Sequence, residues 1–170
     1  FRMQVRMGEP RVAYRQTLSG RGEAEAVFDK VLPNRSLYAA VRLAVEADPD
    51  ARPLEIVNQI SKDELAPLYQ AAIEASVRAA GTSGLRLGYP LTGLKVTLLG
   101  GAAREQGSDE TAFSHAAHLA FEQAAEKAGL CLLEPIMAFE IRCPQEFLAG
   151  VNSDLSGRRA QIRSLQTDCD

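Results

Sequence analysis

Apolar and polar residues alternate with a period of two through much of the first sixty positions, the spacing of strands that bury one face. Phe1 to Met7 alternates in this way, and Val12, Tyr14 and Gln16 fall on one side of a strand. Ala39, Val41, Leu43 and Val45 oppose Tyr38, Ala40, Arg42, Ala44 and Glu46 on the next. Pro33-Asn34 and Asp48-Pro49-Asp50 punctuate these runs as turns. Leu54 to Val57 predicts a further strand. Ser61 and Glu64 then have capping-box spacing, but Pro67 cannot donate an interior backbone bond, so the pattern predicts a short turn over 61–65 and a helix from 66 or 67 to 80.

That helix carries Leu68, Ala72, Val77 and Ala80, with Tyr69, Ile73 and Ser76, on one broad stripe, and Gly81 is placed to stop it. After a connection over 84–90, the pattern predicts a strand from Gly93 to Leu99 and a glycine turn at Gly100-Gly101. Ser108 offers an N-cap, with Asp109 and Glu110 in the first turn complementing the helix dipole. Phe113, Ala116, Ala117, Ala120 and Ala124 then follow helical spacing to Gly129, and such small residues predict close approach of the helix to its sheet. The composition shifts at Ala128-Gly129-Leu130, which predicts two domains, 1–129 and 130–170. Beyond the shift a strand over 131–142, a helix opened by Pro144 and a return strand near 162–169 predict one β-α-β unit.

At 170 residues and 46% hydrophobic content, the chain can bury a packed core. No apolar run approaches the roughly 20 residues that span a bilayer, and no signal-peptide core opens the chain, so it reads as soluble and cytoplasmic. Cys131, Cys143 and Cys169 are odd in number and widely spaced, which argues against a disulfide framework or a metal knuckle. A net charge of -3 leaves any RNA contact to local loops. No GxxxxGK[ST] phosphate loop occurs, so this chain does not carry the nucleotide-hydrolysing site of a P-loop enzyme. Phe1 opens the chain inside an alternating run, which reads as the interior of a longer protein.

Several segments, in order, carry a resemblance. Gly8 to Thr17 is similar to a "GKPQVAYRET" strand, Gly88-Tyr89-Pro90 with Leu94 to Leu98 to "GYPVVDVKVTL", and Glu110 to Phe113 to "SEMAF". Leu132-Leu133-Glu134-Pro135-Ile136-Met137 resembles an interdomain junction, and Ala149 to Ile162 is similar to "GDVIGDLNSRRGQI". The quoted stretches are those of bacterial elongation factor G, the GTPase that drives tRNA movement on the ribosome, and this chain thus resembles that family. The resemblance implies an α+β fold: a fourth-domain-like sheet with two helices and a left-handed β-α-β crossover, then a partial ferredoxin-like β-α-β unit of the fifth domain. It further implies a ribosomal partner, with rRNA, tRNA and mRNA contacted and no membrane. GTP and magnesium would belong to the longer parent, with no cofactor in this chain.

The chain departs from the family at its loops. The tip loop "YDGSYHEVDSSE" aligns Arg104 with the family's histidine, followed by Glu105, Gln106 and Gly107. The neighbouring "VNKIVGGVIPKEYIP" is replaced by Val57 to Pro67, shorter and without glycines, leaving Lys62 as its cation. The "GGRGQYGHV" stretch is replaced by 33–41. Arg104, Glu105, Gln106 and Lys62 are therefore the candidate RNA-contacting residues, with Arg158 and Arg159 on the RNA-facing side that the resemblance gives the fifth domain. An arginine can pair with phosphate or stack on a base, whereas cations at a helix C-terminus also simply balance its dipole. His115, His118 and Glu122, at helical spacing, form a weak metal candidate that lacks a ligand from another element.

The expectation is a fragment that assists tRNA-mRNA translocation by placing its first domain near the decoding centre, with altered activity because its loops have diverged. Alternatives are part of a ribosomal protection or recycling factor, or a stand-alone protein or RNA interaction module without the GTPase half. An unpaired edge in the second unit predicts dimerisation.

Overall fold

A computed structural model describes residues 12–33, 35–51 and 53–166. The run Phe1 to Met7, the segment Gly8 to Arg11 and Cys169 lie outside the described residues. The elements are β1 (Arg15–Leu18), β2 (Arg21–Leu32), β3 (Arg35–Ala47), β4 (Leu54–Asn58), α1 (Pro67–Ser83), β5 (Leu94–Ala102), α2 (Glu110–Ala128), β6 (Leu130–Leu133) and α3 (Leu148–Gly157). The class is α+β, as the sequence implied. The chain divides between Pro135 and Ile136 into two compact units.

In the first unit four strands lie in the order β2-β3-β5-β4. β2 and β3 form a long antiparallel hairpin whose register runs from Arg21 opposite Glu46 to Leu32 opposite Arg35. β5 is antiparallel to β3 and parallel to β4, so α1 is the crossover joining two parallel neighbours. The strand alternation decides which side is buried. Gly22, Ala24 and Ala26 of β2 and Leu37, Ala39, Val41, Leu43 and Val45 of β3 are covered by the helix layer, and β5 adds Leu94, Val96 and Leu98.

The alanine-rich face of α2 explains the thinness of this layer. Ala112, Ala116, Ala117, Ala120, Ala124, Ala125 and Ala128 are buried, and Phe113 and Phe121 fill the space between. At Gly22 an added Cβ would overlap the Ala124 carbonyl oxygen and lie 2.8 Å from the Ala128 nitrogen. Helix and strand backbones are thus nearly in contact, as the small-residue spacing predicts.

β1 pairs antiparallel with β6, from Arg15 opposite Leu133 to Leu18 opposite Leu130. The strand expected over 131–142 therefore stops at Leu133, inside the first unit. Pro135 cannot donate a ladder hydrogen bond, which explains why the pairing ends there. Ile136, Met137, Phe139 and Ile141 are exposed, Ile136 almost completely at 96%. The second unit contains a 3-10 turn over Gln145–Phe147, placed directly after Pro144, and α3; residues 160–166 form no return strand.

Four local expectations are corrected. Gly81 lies within α1, its open Cβ side facing Leu54, and Gly84 at φ 80° ends the helix, its N–H donating to the Ala80 carbonyl. Leu68 points outward at 57% exposure, and the buried stripe of α1 is Gln70, Ile73, Val77 and Ala80. Gly100 and Gly101 continue β5, because Leu99 forms a bulge opposite Arg42 and Leu43, and an added Cβ at Gly101 would lie 3.1 Å from Leu65 and 3.2 Å from the Ala40 carbonyl. Asp109, not Ser108, caps α2: its Oδ1 accepts from the Ala112 N–H at 2.7 Å.

Candidate functional site

The strand directions bring three connections to one end of the sheet: the link between Leu32 of β2 and Arg35 of β3, the β4–α1 loop over 59–66 and the β5–α2 loop over 103–109. In sequence, the same three segments differ from the loops of the family that the chain resembles. Arg104, Glu105, Gln106 and Lys62 are all exposed there.

Arg104 does not extend freely from its loop. Its guanidinium lies 3.7 Å from the centre of the Tyr38 ring and forms an ion pair with Asp29 at 3.1 Å, so it reaches across β3 to β2. Asp29 and Tyr38 stand opposite each other in the hairpin register, on the face of the sheet away from the helices. An exposed ion pair contributes about 0.2–1 kcal/mol and an exposed cation–π contact about 0.5–1 kcal/mol, so the latch stabilises this placement by about 1–2 kcal/mol.

The rest of the loop is fastened to the same hairpin. The Arg104 N–H donates to Ser108 Oγ at 2.9 Å, Ser108 Oγ donates to the Tyr38 carbonyl at 2.7 Å, and the Tyr38 N–H donates to the Gly107 carbonyl at 2.7 Å. Gly107 has φ 101°, and an added Cβ would lie 2.6 Å from Ser36 Oγ, so both its backbone and its lack of a side chain are required. Arg35 pairs with Asp109 at 3.5 Å, and the Tyr69 hydroxyl donates to the Ser108 carbonyl at 3.2 Å. Both arginines at this end are thus neutralised within the fold.

Lys62 sits in a turn held by its neighbours. The Glu64 N–H donates to Ser61 Oγ at 3.1 Å, realising the Ser-Glu spacing as a turn. Buried Gln70 organises the loop from α1: its Nε2 donates to the carbonyls of Ser61 and Leu65, and its Oε1 accepts from Asn58 Nδ2 at 2.9 Å. Gln70 was not legible as an anchor, since the helical stripe marks only its apolar neighbours.

In the second unit Arg158 pairs with Asp154 at 2.8 Å, one turn back on α3. Arg159 adopts φ 59°, the left-handed region usually taken by glycine. Its N–H donates to the Ser156 carbonyl while the Ala160 N–H donates to that of Leu155, the double bond pattern of a Schellman C-terminus.

The metal candidate does not assemble. His115 stacks on Phe28 with ring centres 5.0 Å apart, and among the described residues no three His, Cys, Asp or Glu side chains come together to hold a metal ion. The open sheet face carries charges of alternating sign. By register Arg21, Glu46, Lys95 and Glu55 form one row across the four strands, and Lys95 pairs with Glu46 at 3.7 Å. Arg42 hydrogen-bonds Glu23 at 2.7 Å, and that bond, followed by the carboxylate's charge, raises the guanidinium's pKa further above its already high value.

Tyr38 and Asp29 are the site residues that sequence reasoning missed. A signal was present: the turn read at Pro33-Asn34 implies a two-residue hairpin connection, which fixes the register and so places Asp29 beside Tyr38.

Residues 10–129 match the family model described as elongation factor G, domain IV, and residues 131–170 match that described as elongation factor G C-terminus. The chain is 38% identical over 169 residues to elongation factor G of Thermotoga petrophila and 37% identical to that of Thermotoga maritima, covering 98% of this chain and 24% of each relative. It spans about a quarter of the length of the curated relatives it matches. A crystal structure of a Thermus thermophilus protein superposes with a TM-score of 0.79 at 28% identity, over 95% of this chain and 24% of that one.

Proposed function

The chain belongs to the elongation factor G family, and from that premise we propose that it is the ribosome-facing part of a translational GTPase. In this reading the loop end of the first unit enters the decoding region beside tRNA and mRNA and assists translocation by steric insertion and RNA contact. The observation that carries it is the collinear match to domain IV and then to the C-terminal domain, within which three connections converge at one end of the sheet. GTP and magnesium would act in a P-loop domain outside these residues, and the protein would work in the cytoplasm. Among the described residues no helix is long and apolar enough to cross a membrane.

The Arg104 latch favours altered activity over ordinary activity. A guanidinium already paired with Asp29 has less charge to offer a phosphate, and Arg35 is similarly engaged by Asp109. Arg158 and Arg159 would face rRNA from the second unit, with Lys62, Glu105 and Gln106 beside Arg104 at the tip. Among the described residues the second unit has no strand, so the expected unpaired sheet edge is not found there; self-association of the isolated chain would instead run through the exposed apolar residues Ile136, Met137, Phe139 and Ile141. A sedimentation coefficient independent of concentration would remove this last part.

Ribosome engagement is testable directly. The isolated chain should co-sediment with bacterial ribosomes and be displaced by excess full-length elongation factor G. Absence of co-sedimentation at low salt, where phosphate contacts are strongest, would sink the proposal.

A further inference from the structure

We propose that Arg104 and Tyr38 together form a stacking platform for one unpaired nucleobase of RNA, with Asp29 as the residue that positions it. This rests on the ribosome-facing reading above and names the chemistry of its contact. The guanidinium carbon lies 3.7 Å from the centre of the Tyr38 ring, yet the Arg104 side chain remains 56% exposed, which leaves surface for a ligand. The Asp29 carboxylate at 3.1 Å restrains the group from the side, and the backbone bonds of Arg104 and Ser108 hold the base of its side chain. The result is a planar cation backed by an aromatic ring and held from two directions.

Charge favours stacking over phosphate binding. The Asp29 carboxylate accepts from Arg104 Nη1 at 3.1 Å and offsets the guanidinium's charge, which weakens its hold on a phosphate more than on a neutral base. A guanidinium plane accepts any base by its π face, and bases that are unpaired and splayed outward are the ones able to reach it. Tyr38 contributes by backing the guanidinium with its ring, a role its place beside Asp29 in the hairpin register makes possible.

Binding of a short single-stranded oligoadenylate to the whole chain, followed by tyrosine fluorescence and by NMR shifts, tests the platform. The unsubstituted chain should bind it and prefer it over oligouridylate, whose smaller bases stack less. Arg104→Lys, which keeps the charge and loses the plane, should weaken binding by about fivefold or more with the salt dependence unchanged. Tyr38→Leu should weaken it similarly and Tyr38→Phe should not. The proposal is overturned if the unsubstituted chain does not bind, or if Arg104→Lys binds as well as the parent. It is equally overturned if Tyr38→Phe loses as much affinity as Tyr38→Leu. Co-sedimentation of the same variants with ribosomes separates the two readings: retained ribosome binding with no effect on oligoadenylate rejects the platform alone.

Discussion

Gly22→Ala is expected to destabilise the first unit by about 3 kcal/mol, the upper end of the overpacking range. The new methyl would overlap the Ala124 carbonyl oxygen and approach the Ala128 nitrogen to 2.8 Å. Both neighbours are helix backbone, so neither can rotate aside as a side chain would. Relief requires α2 to lift from β2, which would loosen the contacts of Ala120, Ala124 and Ala128 together. For a chain of this size each kcal/mol lowers Tm by about 2–4 °C, so the melting point should fall by about 6–12 °C. Gly150→Ala supplies the contrast, because among the described residues nothing lies within 4 Å of its added Cβ and it sits in α3. There alanine should stabilise the helix by about 0.5–1 kcal/mol. Thermal unfolding followed by circular dichroism measures both, and a Gly22→Ala cost below about 1 kcal/mol would refute the near-contact of helix and strand backbones.

Three further substitutions probe separate parts of the fold. Gln16 is fully buried, and neither its Oε1 nor its Nε2 has a hydrogen-bond partner among the described residues; Gln16→Met, close in volume, should stabilise by about 1–3 kcal/mol in urea unfolding, and a loss would mean the amide is satisfied. Asp109→Ala removes the α2 cap and should cost about 1 kcal/mol, with a neutral result reassigning the cap. Arg159→Gly should relieve about 1 kcal/mol of left-handed backbone strain and raise α3 helicity, while reduced helicity would show the arginine side chain to be stabilising.

The hairpin and α2 were legible because their periodicities report burial directly: alternating residues of β3 and the alanine face of α2 have one side each to hide. Element ends were harder. Gly81 and Gly84 are equivalent as helix stops in the sequence, and only packing against Leu54 distinguishes the first. Gly100-Gly101 looked like a turn because a close crossing of β5 under Leu65 leaves the same glycine signature. Ser108 and Asp109 are both good caps, and Ser108 was taken by the Tyr38 carbonyl. The pattern over 131–142 promised one continuous strand, but a strand also needs a partner, and the described residues supply one only through Leu133. At the tip, the sequence located Arg104 and Lys62, whereas the Asp29 and Tyr38 contacts depended on a loop folding back over the sheet.

The central claim, a domain IV scaffold retained with its tip chemistry turned inward, is tested most directly by grafting. Thermotoga maritima elongation factor G carrying this chain in place of its matching residues should translocate tRNA and mRNA on ribosomes more slowly than the parent factor, yet faster than a version lacking the segment. A graft as fast as the parent would contradict the account at its loops, and one no better than the deletion would contradict it at its scaffold.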